Sequence, residues 1–297
     1  MDASVILLTR APGPEFIELL EALGRQADPP RELLVVDSGS PPDTLERAER
    51  AGARIEHVEP SSFGHGRTRN HAASLARGEV LVFLTQDAVP VGRDFLERLT
   101  APLRDQRVAG VAARQLAAPG AAPLFQRFLE AAYPDRPRRI EGPELPAFGS
   151  QTVWFSNVAS AVRRRTWQEL PFRDVLMSED QYWAHDAARA GHALVYEPAA
   201  QVVHHQKTDC LTLVRRNFDS AASLRGLPLE GPSVAGRREL AFLAGLALEL
   251  GRSRRFSALG GALAMELARL AGFGLGSASG ILPRALCRRL SQLPWRW

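Results

Sequence analysis

The acids of this chain that could do chemistry are few and stand at structural boundaries. Asp87 follows the apolar run Val80-Leu81-Val82-Phe83-Leu84 through the turn Thr85-Gln86, and Pro90 closes the stretch. A run of that length opening with a β-branched residue reads as a buried strand, which leaves a carboxylate just past its carboxyl end, where open α/β sheets bind ligands. The other reading of Asp87 is a cap for the turn and the next helix. Asp37, in Asp37-Ser38-Gly39-Ser40, ends another apolar run in the same way. Glu179-Asp180 follow Ser178, a fitting N-cap, and acids in a first helical turn suit the helix dipole. His204-His205 end a further apolar run; a histidine pair is a weak metal signal by itself.

Two denser stretches add binding chemistry. Ser62-Phe63-Gly64-His65-Gly66-Arg67-Thr68-Arg69-Asn70 pairs freely turning glycines with charged and neutral donors, ahead of a helix carrying Ala72, Ala73, Leu75 and Ala76. Arginines beside a helix N-terminus suit an anion; the other reading is a surface loop paired with acids such as Glu59. Phe148–Ala161 mixes Trp154 and Phe155 with Gln151, Ser156 and Asn157, flat apolar faces beside oriented amides and hydroxyls, which is what a sugar site uses. A core strand with Trp154 and Phe155 buried fits the same residues.

The elements that must position these groups follow from periodicity. Strands are expected at 4–9, 32–36, 53–58, 80–84 and 108–113, and short ones at 193–198 and 200–205. Helices are expected around 16–23, 43–51, 93–103 and 124–132, and after Glu179. Strands alternating with helices imply an α/β fold with a mostly parallel central sheet. Neither Gly-x-Gly-x-x-Gly nor a Walker lysine loop follows the first strand, which argues against a dinucleotide or P-loop fold. The six prolines between 117 and 150 mark a long irregular insertion.

Composition narrows the class. The chain has 297 residues, 45% hydrophobic and 24% charged, as in an ordinary globular enzyme. Its only cysteines, Cys210 and Cys287, give no disulfide framework, so a reducing compartment is expected. No signal-like segment precedes the first strand. Residues 235–297 carry ten Arg against three Glu, a balance of +7, which leaves −3 for the rest of a chain with net charge +4. The basic excess is therefore local, and nucleic acid is not an expected partner. After Pro228, Gly231 and Pro232 the pattern turns to Ala/Leu-rich helices, Leu240–Leu250 and Phe256–Phe273, broken by Glu249, Glu266 and Arg269. Such helices either lie on an anionic membrane surface or cap the preceding unit. Two regions are expected, 1–227 and a basic amphipathic helical appendage at 228–297.

The order Asp-Ser-Gly-Ser at 37–40, Phe-Gly-His-Gly-x-Thr-Arg-Asn at 63–70 and Leu-Thr-Gln-Asp-Ala-x-Pro at 84–90 resembles the family-2 inverting glycosyltransferases of GT-A fold, nearest their rhamnosyltransferase branch. The resemblance covers roughly residues 4–225. It continues in Glu-Asp-x-x-Trp-x-x-Asp-x-x-x-x-Gly-x-x-x-x-Tyr-x-Pro from Glu179 to Pro198. It implies transfer of a sugar, L-rhamnose from dTDP-rhamnose in that branch, to a hydroxyl of a cell-surface glycan or lipid-linked acceptor. Asp180 would be the general base; Thr9, Asp37, Arg69 and Asn70 would hold the nucleotide; Trp154, Ser156, Asn157 and Glu179 would lie at the donor and acceptor sugars; Asp87 and His204 would hold Mg²⁺ or Mn²⁺. Relatives more often carry two acids at the metal site, where this chain has Gln86 before Asp87, and often His-Ser-His, where it has His204-His205-Gln206. A cytoplasmic enzyme, peripheral at the inner membrane face, is the corresponding expectation. A membrane-recruited, non-catalytic nucleotide-sugar or glycan-binding module is the alternative these departures suggest.

Overall fold

The computed structural model describes residues 2–141, 155–206, 209–227, 237, 241–248, 251 and 256–297. The expected Trp154 site and most of the linker after 227 lie outside them. Strands β1 (Ala3–Thr9), β2 (Glu32–Asp37), β3 (Ala53–His57) and β4 (Val80–Thr85) form from the runs read in the sequence, joined by helices α1 (Glu15–Gly24), α2 (Pro42–Arg50) and α3 (His65–Leu75). They align in parallel in the order β3-β2-β1-β4. The chain turns one way from β1 to β2 and the other way to β4, so a switch-point crevice opens between the carboxyl ends of β1 and β4.

Beyond β4 the sheet is mixed rather than mostly parallel. After the edge strand β5 (Ala88–Pro90), α4 (Phe95–Thr100), β6 (Val108–Ala117), α5 (Pro123–Ala132) and β7 (Arg138–Ile140), the chain returns as β8 (Ala159–Arg163). Strand β8 lies antiparallel between β4 and β6. Helices α6 (Arg164–Glu169) and α7 (Glu179–Arg189) lead to β9 (Ala193–His204), which runs parallel to β6 and antiparallel to β5 and β7. The two short strands expected at 193–205 are thus one, and the register jump from Ala113↔Glu197 to Arg114↔Gln201 absorbs Pro198 in a bulge. Pro90 ends β5 at the sheet edge, a place in a ladder that tolerates the missing N–H.

Alternation along the strands builds two cores. Val82 and Leu84 of β4 face Phe16, Leu19 and Leu23 of α1 and Phe95 and Leu99 of α4. Leu81 and Phe83 face Ala72 and Ala73 of α3, Trp167 of α6 and Trp183 and Ala187 of α7. This is a three-layer α/β architecture with helices on both sheet faces.

The later helices are α8 (Cys210–Leu224), α9 (Phe256–Ser277) and α10 (Arg284–Leu290), with a helical run at 241–248 between the first two. Helix α9 lies close along α8, because a Cβ at Gly272 or Gly276 would collide with the carbonyls of Val214 and Phe218. Leu246 and Ala262 cluster with Leu124 of α5. The C-terminal helices therefore pack on α5 and α8. Helix α9 is also turned inside out: Glu266 is 0% exposed and ion-paired with Arg269 at 2.6 Å, while Leu263 and Leu267 are 52% and 58% exposed.

Candidate active site

The crevice is lined from β1 and β4. Gln86 clasps the chain across it: its Oε1 accepts from the Arg10 N–H at 2.8 Å and its Nε2 donates to the Arg10 carbonyl at 3.3 Å. A carboxylate could accept the first bond but not donate the second, so Gln86 has a positioning role of its own. Next to Arg10, Ala11 holds φ +42° and its N–H bonds Ser40 Oγ at 3.0 Å. Ala11 and Ser178 are the non-glycine residues with left-handed backbone among those described, and both border the site, where such strain concentrates. Ser178, expected to cap α7 with its side chain, makes no such bond.

Several residues expected at the nucleotide are hydrogen-bonded inside the protein. The Asp37 carboxylate is 2% exposed; it accepts from Thr9 Oγ1 at 3.1 Å, from the Gly39 N–H at 2.9 Å and from the Ser40 N–H at 3.1 Å. Burial pushes its pKa up, but these donors outweigh it and hold the group below the usual carboxylate range. Thr9 and Asp37 thus shape the 37–40 turn. The Arg67–Asn70 stretch, expected to precede a helix, lies within α3, which starts at His65 after the extended Gly64. Helical spacing turns Arg69 inward, where its NH1 bonds Glu179 Oε1 at 2.6 Å. Asn70 is spent on Phe172 and on the Trp167 indole N–H. Arg69 thus holds Glu179 through NH1 while its buried Nε has no partner among the described residues, and Asn70 ties α3 to the Phe172 backbone.

Asp87 and His204 do meet. Strands β5 and β9 pair side by side, bringing His204 Nε2 to 3.5 Å from Asp87 Oδ2. The tautomer is set by Gln115 on β6. Its amide Nε2 donates to Tyr133 Oη at 2.7 Å and Ser156 Oγ at 3.1 Å, so its Oε1 faces His204 Nδ1 at 2.9 Å and must accept. Nδ1 therefore carries a proton, which leaves Nε2 as the ring nitrogen that faces Asp87, the arrangement in which a hydrogen-bonded partner orients a metal-binding histidine. Burial raises the Asp87 pKa, but the His204 charge and hydrogen bond, the Thr85 hydroxyl and Arg216 of α8 more than offset it, and the carboxyl lies well below its usual range. An ionised carboxylate beside the outward nitrogen of an imidazole whose other nitrogen is already hydrogen-bonded is a donor set that fits a divalent cation. No group of three metal-ligating side chains occurs among the described residues, so the rest of a coordination shell would come from water or substrate oxygens.

The network continues to the acid pair. Ser156 Oγ accepts from the Val158 N–H at 3.4 Å, and the Asn157 N–H donates to Asp180 Oδ2 at 3.0 Å. Asn157 Nδ2 donates to Glu179 Oε1 at 3.2 Å. Glu179 is buried, which raises its pKa, but Arg69 above all keeps it ionised and below its usual value. Asp180 is half-buried and moves the other way: burial, then the Glu179 charge, push it up to about 7, against the N–H groups of Asn157 and Gln181 and the charge of Arg69. Adjacent carboxyls with opposed shifts mark acid–base chemistry. Arg216, Gln115 and Tyr133 were not singled out in the sequence. Arg216 feels the charges of Asp87, Tyr133 and Asp180, and burial pushes its own pKa down.

The glycosyl transferase family 2 model matches residues 4–168. The O-antigen chain rhamnosyltransferase WbaN of Salmonella anatum is 31% identical over 206 residues, 68% of this chain and 65% of that protein. The O-antigen chain rhamnosyltransferase RfbN of Salmonella typhimurium is 30% identical over 224 residues, 74% of this chain and 71% of its own length. Among solved structures, the mannosyltransferase PcManGT of Pyrobaculum calidifontis, in complex with GDP-Man and Mn²⁺, aligns over 99% of this chain and 85% of its own with a TM-score of 0.59 at 18% identity, a likeness of fold.

Proposed function

The chain belongs to glycosyl transferase family 2, and we propose that it transfers a sugar from a nucleoside diphosphate to a hydroxyl of a glycan or lipid-linked acceptor, with inversion at the anomeric carbon. The observation that carries this is the run of contacts from the Asp87–His204 pair through Gln115 and Ser156 to the 156–158 backbone, whose Asn157 N–H orients Asp180. Rhamnose carried on dTDP is the donor we favour; the names of the two Salmonella relatives support the sugar.

Asp180 takes the acceptor hydroxyl proton as that oxygen attacks the anomeric carbon and the bond to the diphosphate breaks. With a pKa near 7 it is both ionised enough to accept the proton and basic enough to want it. Asn157 and Gln181 aim the carboxylate through their N–H groups. Asp87 and His204 would hold Mg²⁺ or Mn²⁺, which when bound stabilises charge on the leaving diphosphate. Arg216 adds a cation on the same side, within reach of Asp87 and Asp180. Gln86 is built into the crevice, so the absent acid speaks less for a non-catalytic module than the sequence suggests.

We also place the protein at an anionic membrane surface. No helix among the described residues is long and apolar enough to cross a membrane. The support is α9, whose Leu263, Leu267 and Leu270 face outward while its ion pair faces in, together with Ile281 at 88% exposure and the arginines of α10 that follow it in the chain. Turnover by the full chain with a panel of nucleotide sugars, with and without divalent metal, tests the reading. Hydrolysis or transfer from none of them would sink it.

A further inference from the structure

The last residues of the chain run back to the switch-point crevice. After α10, the Gln292 N–H bonds Asp219 of α8 at 2.7 Å, and Trp297 packs on Phe218 with ring centroids 5.5 Å apart. Arg296, whose side chain is 13% exposed, bonds Asp174 at 2.7 Å. Between them the Trp295 indole N–H donates to the Phe63 carbonyl at 3.1 Å, and the Arg10 guanidinium lies over its ring at 5.6 Å. Gly64 belongs to this contact, because a Cβ there would strike the Arg296 guanidinium. The glycine that the sequence offers as backbone freedom is the space into which the far end of the chain fits.

Arg10 is the residue whose backbone Gln86 clasps across the crevice, and its neighbour Ala11 is strained. A half-buried indole held over an exposed Arg10 at the mouth of that crevice presents an apolar, flat surface beside a cation. A nucleoside offers the matching surface, since every base has a face that stacks on aromatic rings and guanidinium groups. We infer that the Arg10–Trp295 pair is the wall against which the nucleoside of the donor packs, so that the C-terminal segment forms part of the donor site. This rests on the nucleotide-sugar reading above and names a contact for it.

The test is isothermal titration of the full chain with dTDP, and separately with pyrophosphate, both with Mg²⁺. Trp295→Leu is expected to weaken dTDP on the order of 10-fold and to leave pyrophosphate unchanged, while Trp295→Phe keeps dTDP within about 3-fold of the unaltered chain. If the unaltered chain binds neither ligand, the donor site itself is misassigned. If it binds both and Trp295→Leu holds dTDP equally well or more tightly, the wall is overturned; a gain would mean the indole blocks the crevice. Equal weakening toward dTDP and pyrophosphate would also overturn it, since the indole would then act only through the fold.

Discussion

Glu179→Gln separates a tuned base from a carboxylate that merely caps a helix. Two causes push Asp180 up, burial and the Glu179 charge, while Arg69 and two N–H groups pull it down. Tyr133 and Arg216 also feel the Asp180 charge. The substitution abolishes the like charge and frees Arg69 from its partner, and both changes favour the Asp180 anion. Burial is untouched, so a drop of about one unit, ~1.4 kcal/mol, is expected. With a pKa of about 7, roughly a tenth of Asp180 is ionised at pH 6, and with a pKa about one unit lower roughly half is. The acid limb of kcat/KM, which reports the free enzyme, should therefore move down by about one pH unit, and activity at pH 6 relative to the variant's own plateau should rise about five-fold. Leaving Arg69 unpaired in the interior costs about 3–5 kcal/mol of stability, so folded fraction is followed by circular dichroism and each profile is normalised to its plateau. A limb that stays put or moves up would refute the argument, as would a wild-type profile flat from pH 6 to 8. The stability linkage has the matching sign: a carboxyl raised in the folded state stabilises least above its folded pKa, so Asp180→Asn should gain more thermal stability at pH 8 than at pH 5.

Asp180→Asn should also lower kcat by about 10²–10⁴ with donor binding nearly unchanged, and collapse of donor affinity instead would make it a binding residue. Asp87→Asn should remove most metal-stimulated turnover with an intact fold, because an amide does not offset the cation's charge; full activity in excess chelator would contradict this. Gln115→Leu removes the acceptor that fixes His204, and a loss of about 10–100-fold in metal affinity by titration is expected. Leu263→Gln with Leu267→Gln should release the chain from anionic vesicles in co-sedimentation, and equal binding to neutral and anionic vesicles would count against the membrane assignment.

The parallel half of the fold was legible because β1, β2 and β4 are buried on both faces and read as unbroken apolar runs. The mixed half was not, since β8 offers only Ala-Ser-Ala-Val-Arg, and nothing local says that it slots between β4 and β6. The start of α3 was misjudged because Gly64 and Gly66 look like loop residues, yet both are glycine for lack of space: a Cβ at Gly66 would meet the Arg173 carbonyl. Asp87, His204, Glu179 and Asp180 stood at element ends where the pattern could find them. Gln115 sits inside a strand of small apolar residues, and its meaning comes from the β6–β9 pairing that brings it to a histidine 89 positions away. Asp37 and Asn70 have the right types for ligand contacts, and only tertiary structure shows which hydrogen bonds they already make within the protein. The C-terminal segment was read as either cap or membrane surface, and α9 has a face suited to each.

The place of β8 in the sheet has a consequence for how the chain emerges from the ribosome. Strands β1 to β4 can assemble as soon as they are synthesised, leaving the inner edge of β4 unpaired. Its partner begins at Ala159, and translation at about 5–20 residues per second leaves that edge open for roughly 4–15 s. The next extended apolar segment to appear is β6, which belongs one strand further along. A nascent chain that zips β6 directly onto β4 shuts β8 out of its slot, and with it the Ser156–Asn157 corner that leads into it. The hazard peaks before α7, with its Glu179–Asp180 pair, has been made, so it falls to chaperones that shield strand edges, or to the pace of translation across residues 86–158, to keep that slot free.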